Sequence, residues 1–580
     1  MSVTVNLANE SYRVKHGGIY EQIKAPTELV CAKNDSAAFQ VVLSSDLHYS
    51  VSFGDVDWFS HTAKPFAARS AGKHERVRVV VDSPFETELH HVGLVTDDDL
   101  VKKGDILLNQ NTIETPADSL SALWCEVLVP KDAAAGDYTI KVSVFAALYE
   151  DDEALVKEFT LPLQVANYTL PDKRGLYLNL WFHPCSIARK HDVVLWSDEH
   201  FEILRKYIKS LAKLGQKPII IVASDIPWKG QDCWLCPEAN GNLFEYSPIK
   251  IYKNTNGEFE FDFSIMQRYI DMCTEEGLDG FIELFGITGV WFYEKFIKKQ
   301  YCPEYHEALT LHYIDKADGS RKYLRDAEVI KAYIKALGEY FVKTGQKDRV
   351  RISADEPADI EKYRYSIQEL KKLMPDFKYS CAINHVEFID EFKDDIDESV
   401  PYLRCTALNY ESLTKYKKLY PDKKFLWYVC CGRAPLNTFI LCNLLESRAI
   451  GTMTSFLRFD GFLRWAYTLW NDNPRNDARY SLFEAGDCYF VYPGAYGGPL
   501  LSLRYKNLLR GMVDYDLLEA VRKKKGDDTA DEFIKRICYF DHVSQLLADE
   551  KKFKKTEELY CVDWETYNQI KKDMLKLLAD

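Results

Sequence analysis

Short runs of alternating apolar and polar residues dominate the first 168 residues of the chain. Three of them, at 39–43, 76–81 and 124–129, are rich in β-branched and aromatic residues and are bounded by turn-forming clusters. Helical periodicity is nearly absent in this part of the sequence. The pattern predicts an N-terminal all-β sandwich over residues 1–168, followed by a linker at 168–174.

From Gly175 onward, apolar strand-like runs alternate with amphipathic helical stretches. The strand-like runs lie at 176–183, 218–224, 280–286, 349–355, 379–385, 403–410, 425–430 and 461–470. The helical stretches include 198–214, 264–276, 326–344, 359–374 and 437–448. Eight such units over about 300 residues predict a (β/α)8 barrel. A doubly wound open sheet is the alternative, but no G-x-G-x-x-G motif follows the first strand.

The last part of the chain is helical in pattern and highly charged, as in the stretches 505–525 and 529–547. We expect it to pack on the barrel as a C-terminal helical appendage. The predicted organisation is therefore a β-sandwich domain at 1–168, a barrel domain at 175–500 and a helical segment at 501–580.

Composition adds an aromatic excess and excludes several classes of protein. The 580 residues include 36 Tyr, 31 Phe and 11 Trp. The net charge of −14 comes without a long basic run, which argues against a nucleic-acid partner. Since no segment resembles a signal peptide or a membrane span, we expect a cytoplasmic protein without membrane insertion. The 15 cysteines are spread along the chain, which predicts reduced thiols rather than a disulfide framework.

The barrel prediction also indicates which side chains face the axis, because alternate residues of a strand point inward and chemistry collects at the carboxyl ends of the strands. The inward set of the first strand is Tyr177, Asn179, Trp181 and His183. Asp355 ends the fourth strand on the axis side. Three residues end later strands on the more polar face, namely Asn384, Tyr410 and Tyr428.

The tripeptide Asp355-Glu356-Pro357 is the most informative chemical feature of the sequence. Neighbouring residues of a straight strand point to opposite faces, so both carboxylates can enter one pocket only where the strand ends and bends. We expect Pro357 to end the strand and to hold Glu356 in an extended conformation. An ordinary strand-end turn is the alternative, since Asp, Glu and Pro all suit loops.

Paired carboxylates in an aromatic pocket indicate glycoside hydrolysis, in which one acid protonates the leaving oxygen and aromatic faces stack on sugar rings. Adjacent residues are poorly placed for the usual retaining pair, which flanks the anomeric carbon from opposite sides about 5 Å apart. They suit a reaction in which a 2-acetamido group of the substrate is the internal nucleophile, because such a group reacts with the high effective molarity of an intramolecular step.

Three stretches of the sequence resemble glycoside hydrolase family 123. They are the sandwich stretch 35–42, the Asp355-Glu356-Pro357 step, and a C-terminal block at 461–467, 470–471, 486–487, 491–494, 498–499, 502–504 and 510–516. The resemblance implies an exo-acting β-N-acetylgalactosaminidase with an N-terminal sandwich, a catalytic barrel and a retaining, substrate-assisted mechanism. In that mechanism Asp355 orients and polarises the acetamido group and Glu356 is the general acid/base. Glycosphingolipid glycans with terminal β-linked N-acetylgalactosamine are among the implied substrates.

Candidate substrate-binding residues are the polar and aromatic side chains predicted at the barrel rim. They are His183, Asn384, Tyr410, Trp427, Tyr428, Trp465, Tyr467, Trp470 and Asp487. We expect Glu283 to lie deep in the barrel, paired with Arg351. The lone Cys233-x-x-Cys236 pair lacks a second pair at zinc-site spacing, so neither a metal nor another cofactor is predicted.

Two other functions remain open from the sequence. One is a carbohydrate-binding protein that has kept the aromatic pocket without turnover. The other is the same chemistry on N-acetylglucosamine, since no residue in the sequence identifies the orientation of the sugar's C4 hydroxyl. The oligomeric state and the role of the sandwich are not predicted.

Overall fold

The computed structural model describes most of the 580 residues. The described ranges are 2–18, 23–54, 74–148, 152–228, 245–288, 310–357, 359–432, 434–480, 483–549 and 552–579. The Cys233-x-x-Cys236 pair lies outside these ranges.

The N-terminal region is built from two mainly antiparallel sheets. Its strands are β1 Thr4–Asn9, β2 Leu29–Lys33, β3 Asp35–Ser44, β4 His48–Phe53, β5 His74–Asp82, β6 Thr87–Thr96, β7 Lys102–Leu108, β8 Thr112–Thr115, β9 Ser121–Val129, β10 Gly136–Leu148 and β11 Ala154–Thr169. One sheet has the order β1-β3-β9-β6-β7 and the other β2-β11-β10-β5-β4-β8. The all-β character predicted for this region is confirmed.

Strand β3 shows why the first of these sheets is apolar on both faces. Phe39 and Val41 lie in the large core cluster, together with residues of the second sheet. Ala38 and Val42 point the other way and pack with Leu503 from the C-terminal part of the chain. This sheet is therefore covered on one side by its partner sheet and on the other by the rest of the molecule, which explains its nearly continuous apolar sequence.

A parallel sheet of eight strands follows. Its strands are β12 Tyr177–Leu180, β13 Ile219–Val222, β16 Ile282–Phe285, β19 Val350–Asp355, β20 Lys378–Ile383, β21 Ile396–Pro401, β22 Lys424–Tyr428 and β23 Gly461–Arg464. The order is β12-β23-β22-β21-β20-β19-β16-β13, and a parallel bridge from Leu178 to Gln216 links its two ends. This is the topology of a (β/α)8-like domain.

The inward and outward faces predicted for the first strand are confirmed. Leu178 and Leu180 belong to the core cluster shared with the surrounding helices. Tyr177 and Trp181 belong to a separate interior cluster made almost entirely of residues from the eight strands and the loops that follow them. Alternate residues of this strand therefore point toward the barrel interior and toward the surrounding helices.

The helices of this region follow the predicted alternation. They are α1 Pro184–His191, α2 Asp198–Leu214, α3 Ser264–Glu275, α4 Ala327–Lys343, α5 Ile360–Leu373, α6 Glu387–Glu391, α7 Leu403–Leu419 and α8 Leu444–Leu457. Helix α2 shows how local sequence sets the bounds: the Ser197 hydroxyl accepts a hydrogen bond from the His200 amide at its start, and Gly215 ends it at a φ of 113°. None of the helices in the described ranges is both long and apolar enough to cross a bilayer.

Three barrel elements differ from the prediction. The helix predicted at 437–448 is α8, which begins only at Leu444 and ends at Leu457. Residues 403–410, predicted as the sixth strand, belong to helix α7, which has a kink at Asn409. The sixth strand is instead Ile396–Pro401, whose polar sequence includes the fully buried Glu398. A strand that carries buried polar residues lacks the apolar run that sequence patterns detect. The eighth strand ends at Arg464, short of the predicted residue 470.

A small four-stranded sheet was not predicted. Its strands are β14 Lys250–Lys253, β15 Phe259–Asp262, β17 Leu311–Asp315 and β18 Arg321–Leu324, in the order β15-β14-β17-β18. These strands lie in the long connections before and after β16, where charged residues break the apolar alternation. The sheet is an insertion on the barrel rather than part of its wall.

The C-terminal part is mainly helical, as predicted. It contains α9 Leu503–Lys525, α10 Asp527–Lys535, α11 Thr556–Leu559 and α12 Trp564–Ala579. Two short hairpins complete it, formed by β24 Tyr492–Pro493 with β25 Pro499–Leu500, and by β26 Leu547–Asp549 with β27 Lys552–Phe553. The helix predicted at 529–547 is shorter, because α10 ends at Lys535. The domain boundaries at 168, 175 and 500 stay predictions.

A buried group of charges joins the N-terminal sheets to helix α9. The Arg510 guanidinium donates to Glu10 at 2.8 Å, to the Ser36 hydroxyl at 2.7 Å and to Glu126 at 3.0 Å. Lys506 also forms an ion pair with Glu126. All these charged side chains are buried, so each charge depends on its partners for stabilisation. We call this group the buried charge joint.

Helices α8 and α9 approach each other closely beside this joint. A Cβ atom on Gly511 would lie 2.4 Å from the carbonyl oxygen of Arg448, and one on Gly451 would lie 1.8 Å from the carbonyl oxygen of Gly511. Only glycine fits at either position. Gly511 therefore allows the close approach of the two helices, and Arg510 and Asp514 form ion pairs beside it. The Arg448 guanidinium donates to Asp514 at 2.6 Å.

A second buried arginine fixes the loop that leads to Asp487. Arg504 donates to the carbonyl oxygens of Gly486 at 2.9 Å and Tyr489 at 2.8 Å, and to Asp105 of strand β7 at 2.9 Å. The N-terminal region therefore takes part in holding this loop. The block residues Gly486, Arg504, Arg510, Gly511 and Asp514 therefore have structural roles.

Candidate active site

Asp355 and Glu356 lie at the carboxyl end of β19, the fourth strand of the parallel sheet. Asp355 is the last residue of the strand and pairs with Ala382 of β20. The Glu356 amide donates to the carbonyl oxygen of Ala382 at 2.9 Å. Both side chains are half-buried, whereas the residues before them in β19 are fully buried. The pair is thus accessible from the end of the barrel where chemistry usually takes place.

The backbone at Glu356 is not extended, contrary to the prediction. Its φ is 47°, in the left-handed region that residues with a side chain rarely adopt. Such a conformation costs about 1–3 kcal/mol and persists where the surrounding structure imposes it. The turn bends the chain out of the strand immediately after Asp355. It therefore allows two adjacent side chains to leave the strand end on the same side.

Tyr428, at the end of β22, contacts this carboxylate pair. Its hydroxyl donates a hydrogen bond to Glu356 and lies 3.0 Å from the Asn384 amide oxygen. Asn384 directly follows β20 and is exposed. The sequence placed both Tyr428 and Asn384 at strand ends on the polar face, and in the structure Tyr428 contacts both Glu356 and Asn384.

The electrostatics of Tyr428 indicate that both carboxylates are near it. Burial raises the pKa of the Tyr428 phenol well above its usual range. The negative charge of Glu356 adds to this rise, and that of Asp355 contributes in the same direction. The phenol therefore stays protonated and acts as a hydrogen-bond donor at neutral pH.

An aromatic group lies at the same end of the barrel. Trp181 stacks on Trp228 with 5.7 Å between ring centroids, and Phe285 lies 4.8 Å from Trp181 and 5.4 Å from Trp228. His183 contacts Trp228 at 5.7 Å. Sequence reasoning missed Trp228, although an aromatic residue a few positions after the second strand could have been noticed. Flat faces of this kind can stack on sugar rings.

His183 is a neutral side chain rather than an acid. Burial lowers the pKa of its imidazole to about 3, and the Arg189 guanidinium acts in the same direction. The ring is therefore uncharged across the physiological range and can only exchange hydrogen bonds. His183 immediately precedes helix α1, which begins at Pro184.

Asp487 and Trp465 form a separate hydrogen-bonded pair. The Trp465 indole donates to Asp487 at 3.1 Å, and Arg464 donates to the same carboxylate oxygen at 2.6 Å. Burial raises the pKa of Asp487, although Arg464 opposes the rise. Trp465 is half-buried and packs against the interior cluster that contains Tyr428. The pair lies close enough for the Asp487 charge to act on Cys430, two residues after Tyr428.

Four residues predicted to bind the substrate at the barrel rim have side chains that contact other parts of the protein instead. They are Tyr410, Trp427, Tyr467 and Trp470. Tyr410 lies on helix α7 and donates to the Leu457 carbonyl oxygen at 3.3 Å, so the strand-end argument for it is wrong. Trp427 points outward to helix α8, where its indole donates to Thr454 at 2.9 Å.

Tyr467 and Trp470 are also directed into the protein. The Tyr467 hydroxyl lies 2.7 Å from that of Ser210 on helix α2. The Trp470 indole donates to the carbonyl oxygen of Val491 at 2.7 Å. Both side chains are fully buried. Barrel tops bury aromatic residues for packing, and aromatic type alone does not distinguish these from residues that face the pocket.

Glu283 is buried inside the barrel, but its predicted pairing with Arg351 is wrong. Glu283 accepts from Asn179 at 2.6 Å and is hydrogen-bonded to Glu398 of β21. Arg351 instead binds Asp397 at 2.5 Å. Burial raises the pKa of Glu283 well above its usual range, and the charge of Glu398 acts in the same direction. The two carboxyl groups thus favour a form in which they share a proton.

Within the described ranges, no three His, Cys, Asp or Glu side chains are arranged to hold a metal ion together. The chemistry available from the described residues is that of two adjacent carboxylates, a phenol donor and aromatic faces. This set can transfer a proton and bind a sugar ring.

Comparisons with known proteins agree with this description. A model of the glycoside hydrolase 123 catalytic domain matches residues 181–521. A family 123 glycoside hydrolase from Clostridium perfringens, solved to study glycolipid glycan hydrolysis, superposes with a TM-score of 0.72 at 15% identity, covering 100% of this chain and 97% of that one. At this identity the superposition shows a shared fold.

More distant glycosidases superpose only poorly. A maltogenic α-amylase from Thermotoga neapolitana gives a TM-score of 0.31 at 11% identity, covering 59% of this chain and 78% of its own. No curated protein gives a significant match to the sequence. The family model spans more than half of the chain and includes the Asp355-Glu356 pair. The chain therefore belongs to glycoside hydrolase family 123.

Proposed function

We propose that the protein is an exo-acting retaining β-N-acetylgalactosaminidase. It would release terminal β-linked N-acetylgalactosamine from glycans such as those of glycosphingolipids. The observation that carries the proposal is the adjacency of Asp355 and Glu356 at the end of a barrel strand, with the backbone turned at Glu356. The glycolipid glycan hydrolysis described for the Clostridium perfringens relative supports the substrate class.

In the proposed first step, the carbonyl oxygen of the 2-acetamido group attacks the anomeric carbon while the bond to the leaving oxygen breaks. Glu356 gives its proton to that oxygen. Asp355 accepts a hydrogen bond from the acetamido N–H, which becomes more positive as the oxazolinium ring forms. The carboxylates need not flank the anomeric carbon, because the nucleophile belongs to the substrate.

In the second step, Glu356 acts as a base. It removes a proton from water, which attacks the anomeric carbon and opens the oxazoline. The anomeric carbon is inverted twice, so the β-configuration is retained. Asn384, Tyr428, Trp465, Asp487 and His183 remain the proposed contacts to the sugar, and Trp181 and Trp228 join them as aromatic faces.

The test of specificity is hydrolysis of aryl β-N-acetylgalactosaminide against aryl β-N-acetylglucosaminide. The proposal requires a higher kcat/KM for the first substrate. Preference for the second would keep the chemistry and change the sugar, and binding of both without turnover would identify a carbohydrate-binding protein.

The test of mechanism is the stereochemistry of the first product. Proton NMR during hydrolysis should detect the β-anomer first, and a thiazoline analogue of N-acetylgalactosamine should inhibit competitively. An α-anomer as first product would exclude the internal nucleophile.

A further inference from the structure

The adjacent cysteines Cys430 and Cys431 lie beside the candidate active site. They follow β22, which ends at Tyr428, the residue whose hydroxyl donates to Glu356. The hydrogen bond with Cys431 and burial raise the pKa of the Cys430 thiol, and the negative charge of Glu356 adds to the rise, which indicates that the thiol and this carboxylate are close. The pair thus lies at the carboxyl end of the barrel, next to the general acid of the proposed function.

Most cysteines in the described ranges are inaccessible, but this pair is not. Cys431 is exposed and Cys430 is partly exposed, whereas nine of the other cysteines are buried. The Cys431 and Cys430 sulfur atoms are 3.9 Å apart. The segment is also held in place, because the Asn437 side-chain amide donates to the carbonyl oxygens of Cys430 at 3.1 Å and Gly432 at 3.2 Å.

This sulfur separation is close to that of two ligands on one soft centre. Two sulfurs bound at about 2.3 Å lie about 3.8 Å apart on a tetrahedral centre and about 3.3 Å apart on pyramidal trivalent arsenic, so the thiols need to approach by only about 0.6 Å to bind arsenic together. Thiolates select soft, thiophilic centres over hard ones. We propose that Cys430 and Cys431 form a two-thiol site at the rim of the pocket that captures one thiophilic centre, such as a trivalent arsenical, through both sulfurs.

The electrostatics of the pair support stepwise capture. The hydrogen bond between the two thiols lowers the pKa of Cys431, and the Arg464 guanidinium acts in the same direction, while burial, Asp487 and Glu356 oppose the change. The thiolate is the reactive form of cysteine. Cys431 is therefore the first sulfur to bind, and Cys430 completes the site.

Phenylarsine oxide is the probe for this site. One molecule reacts with two thiols: two As–S bonds form, the As=O bond and two S–H bonds break, and one molecule of water leaves. No group is oxidised or reduced. Because the captured aryl group would lie next to Glu356, capture should also abolish glycoside hydrolysis.

The measurement is intact mass together with titration of accessible thiols. The Cys233-x-x-Cys236 pair could capture the same probe, so Cys236→Ser is the background variant. In this background we expect one arsenical per chain, the loss of two titratable thiols, stability to a monothiol and release by a dithiol. Adding Cys431→Ser should abolish the adduct, whereas adding Cys442→Ser, another partly exposed cysteine, should not.

An adduct that persists in Cys431→Ser, or that disappears in Cys236→Ser alone, would overturn the two-thiol site. An adduct that leaves hydrolysis of the aryl glycoside intact would overturn its position at the rim. The mass measurement does not depend on the proposed function, so a chain that captures the arsenical but hydrolyses no N-acetylhexosaminide would contradict the function alone.

Discussion

The hydroxyl of Tyr428 donates a hydrogen bond to Glu356 across the end of the barrel. Strands β20 and β21 lie between β22, which ends at Tyr428, and β19, after which Glu356 follows. The phenol therefore reaches over the interior rather than to a neighbour in the sheet. It fixes the position of a carboxylate on a strained turn, where the backbone alone would leave several side-chain rotamers open.

Removing this hydroxyl should impair catalysis without unfolding the protein. A hydrogen bond to a charged group contributes about 1.5–3 kcal/mol, so we expect Tyr428→Phe to lower kcat/KM about 10- to 100-fold. Tyr402→Phe is the matched control, because the Tyr402 ring packs on Tyr428 at 5.3 Å while the bond to Glu356 comes from Tyr428. Equal losses in the two variants would contradict a positioning role for the Tyr428 hydroxyl.

The two carboxylates should differ in their dependence on the leaving group. If Glu356 is the general acid, Glu356→Gln should strongly impair substrates whose leaving group needs protonation, such as a galactoside. It should largely spare formation of the intermediate from an aryl glycoside, which leaves as a stable phenolate. General acid catalysis is worth about 100- to 10,000-fold, and the difference between the two substrates should approach that range.

Asp355→Asn should impair both substrates equally, because the charge that Asp355 stabilises forms on the acetamido group whichever group leaves. The check is kcat/KM of both variants on both substrates. A leaving-group dependence seen only in Asp355→Asn would reverse the roles, and full activity in both variants would place the site elsewhere.

The buried pair Glu283 and Glu398 should make stability depend on pH. Because burial raises the pKa of both groups, the folded state keeps a proton that the unfolded chain has released above its ordinary pKa near 4.5. Stability contributed by this proton is lost as the pH rises from the ordinary glutamate pKa of 4.5 toward the raised pKa of the folded pair. Nearby Lys424 and Arg351 oppose the rise at Glu398 without reversing it.

Glu283→Gln removes the charge, so its melting temperature should fall less than that of the wild type over this pH range. The exposed Glu339→Gln on helix α4 serves as control and should follow the wild type. Parallel melting curves for Glu283→Gln and the wild type at all pH values would show that the pair is not linked to folding.

The buried charge joint should be sensitive to loss of one partner. Arg510→Met leaves Glu10 and Glu126 buried without this counter-charge, and we expect a loss of about 3–5 kcal/mol in the free energy of unfolding. Arg479→Met removes an exposed pair with Asp477 and should change stability by less than about 1 kcal/mol. Denaturant unfolding of both variants is the measurement, and similar small changes would show that the joint is not needed for stability.

The sequence predicted the features that depend on the alternation of side chains along a strand and on where a strand ends. Alternation placed Tyr177 and Trp181 inside the barrel, and strand ends located Asp355, Glu356, Asn384 and Tyr428. These features follow from local geometry that every barrel shares. The sixth strand could not be predicted, because buried Glu398 is stabilised by Ser380 and Glu283, which are distant in sequence.

The aromatic candidates show a second limit. Trp427 and Tyr428 are adjacent and both aromatic, yet one binds Thr454 on a helix and the other binds Glu356. The alternation of side chains along a strand distinguishes Trp427 from Tyr428. It cannot predict the direction of Tyr467 and Trp470, because the eighth strand has already ended at Arg464. Their positions depend on partners such as Ser210 and Val491, which come from other elements.

The buried charge joint has a consequence for how the chain can be divided. A fragment that contains only the barrel and helix α9 would carry Arg510 and Lys506 without their partners Glu10 and Glu126. It would also expose the apolar side chain of Leu503, which packs against the N-terminal sheet in the whole chain. Such a fragment would be prone to aggregation on expression. The N-terminal sheets thus supply the counter-charges and the apolar cover for this surface, and the two parts should melt in a single cooperative transition.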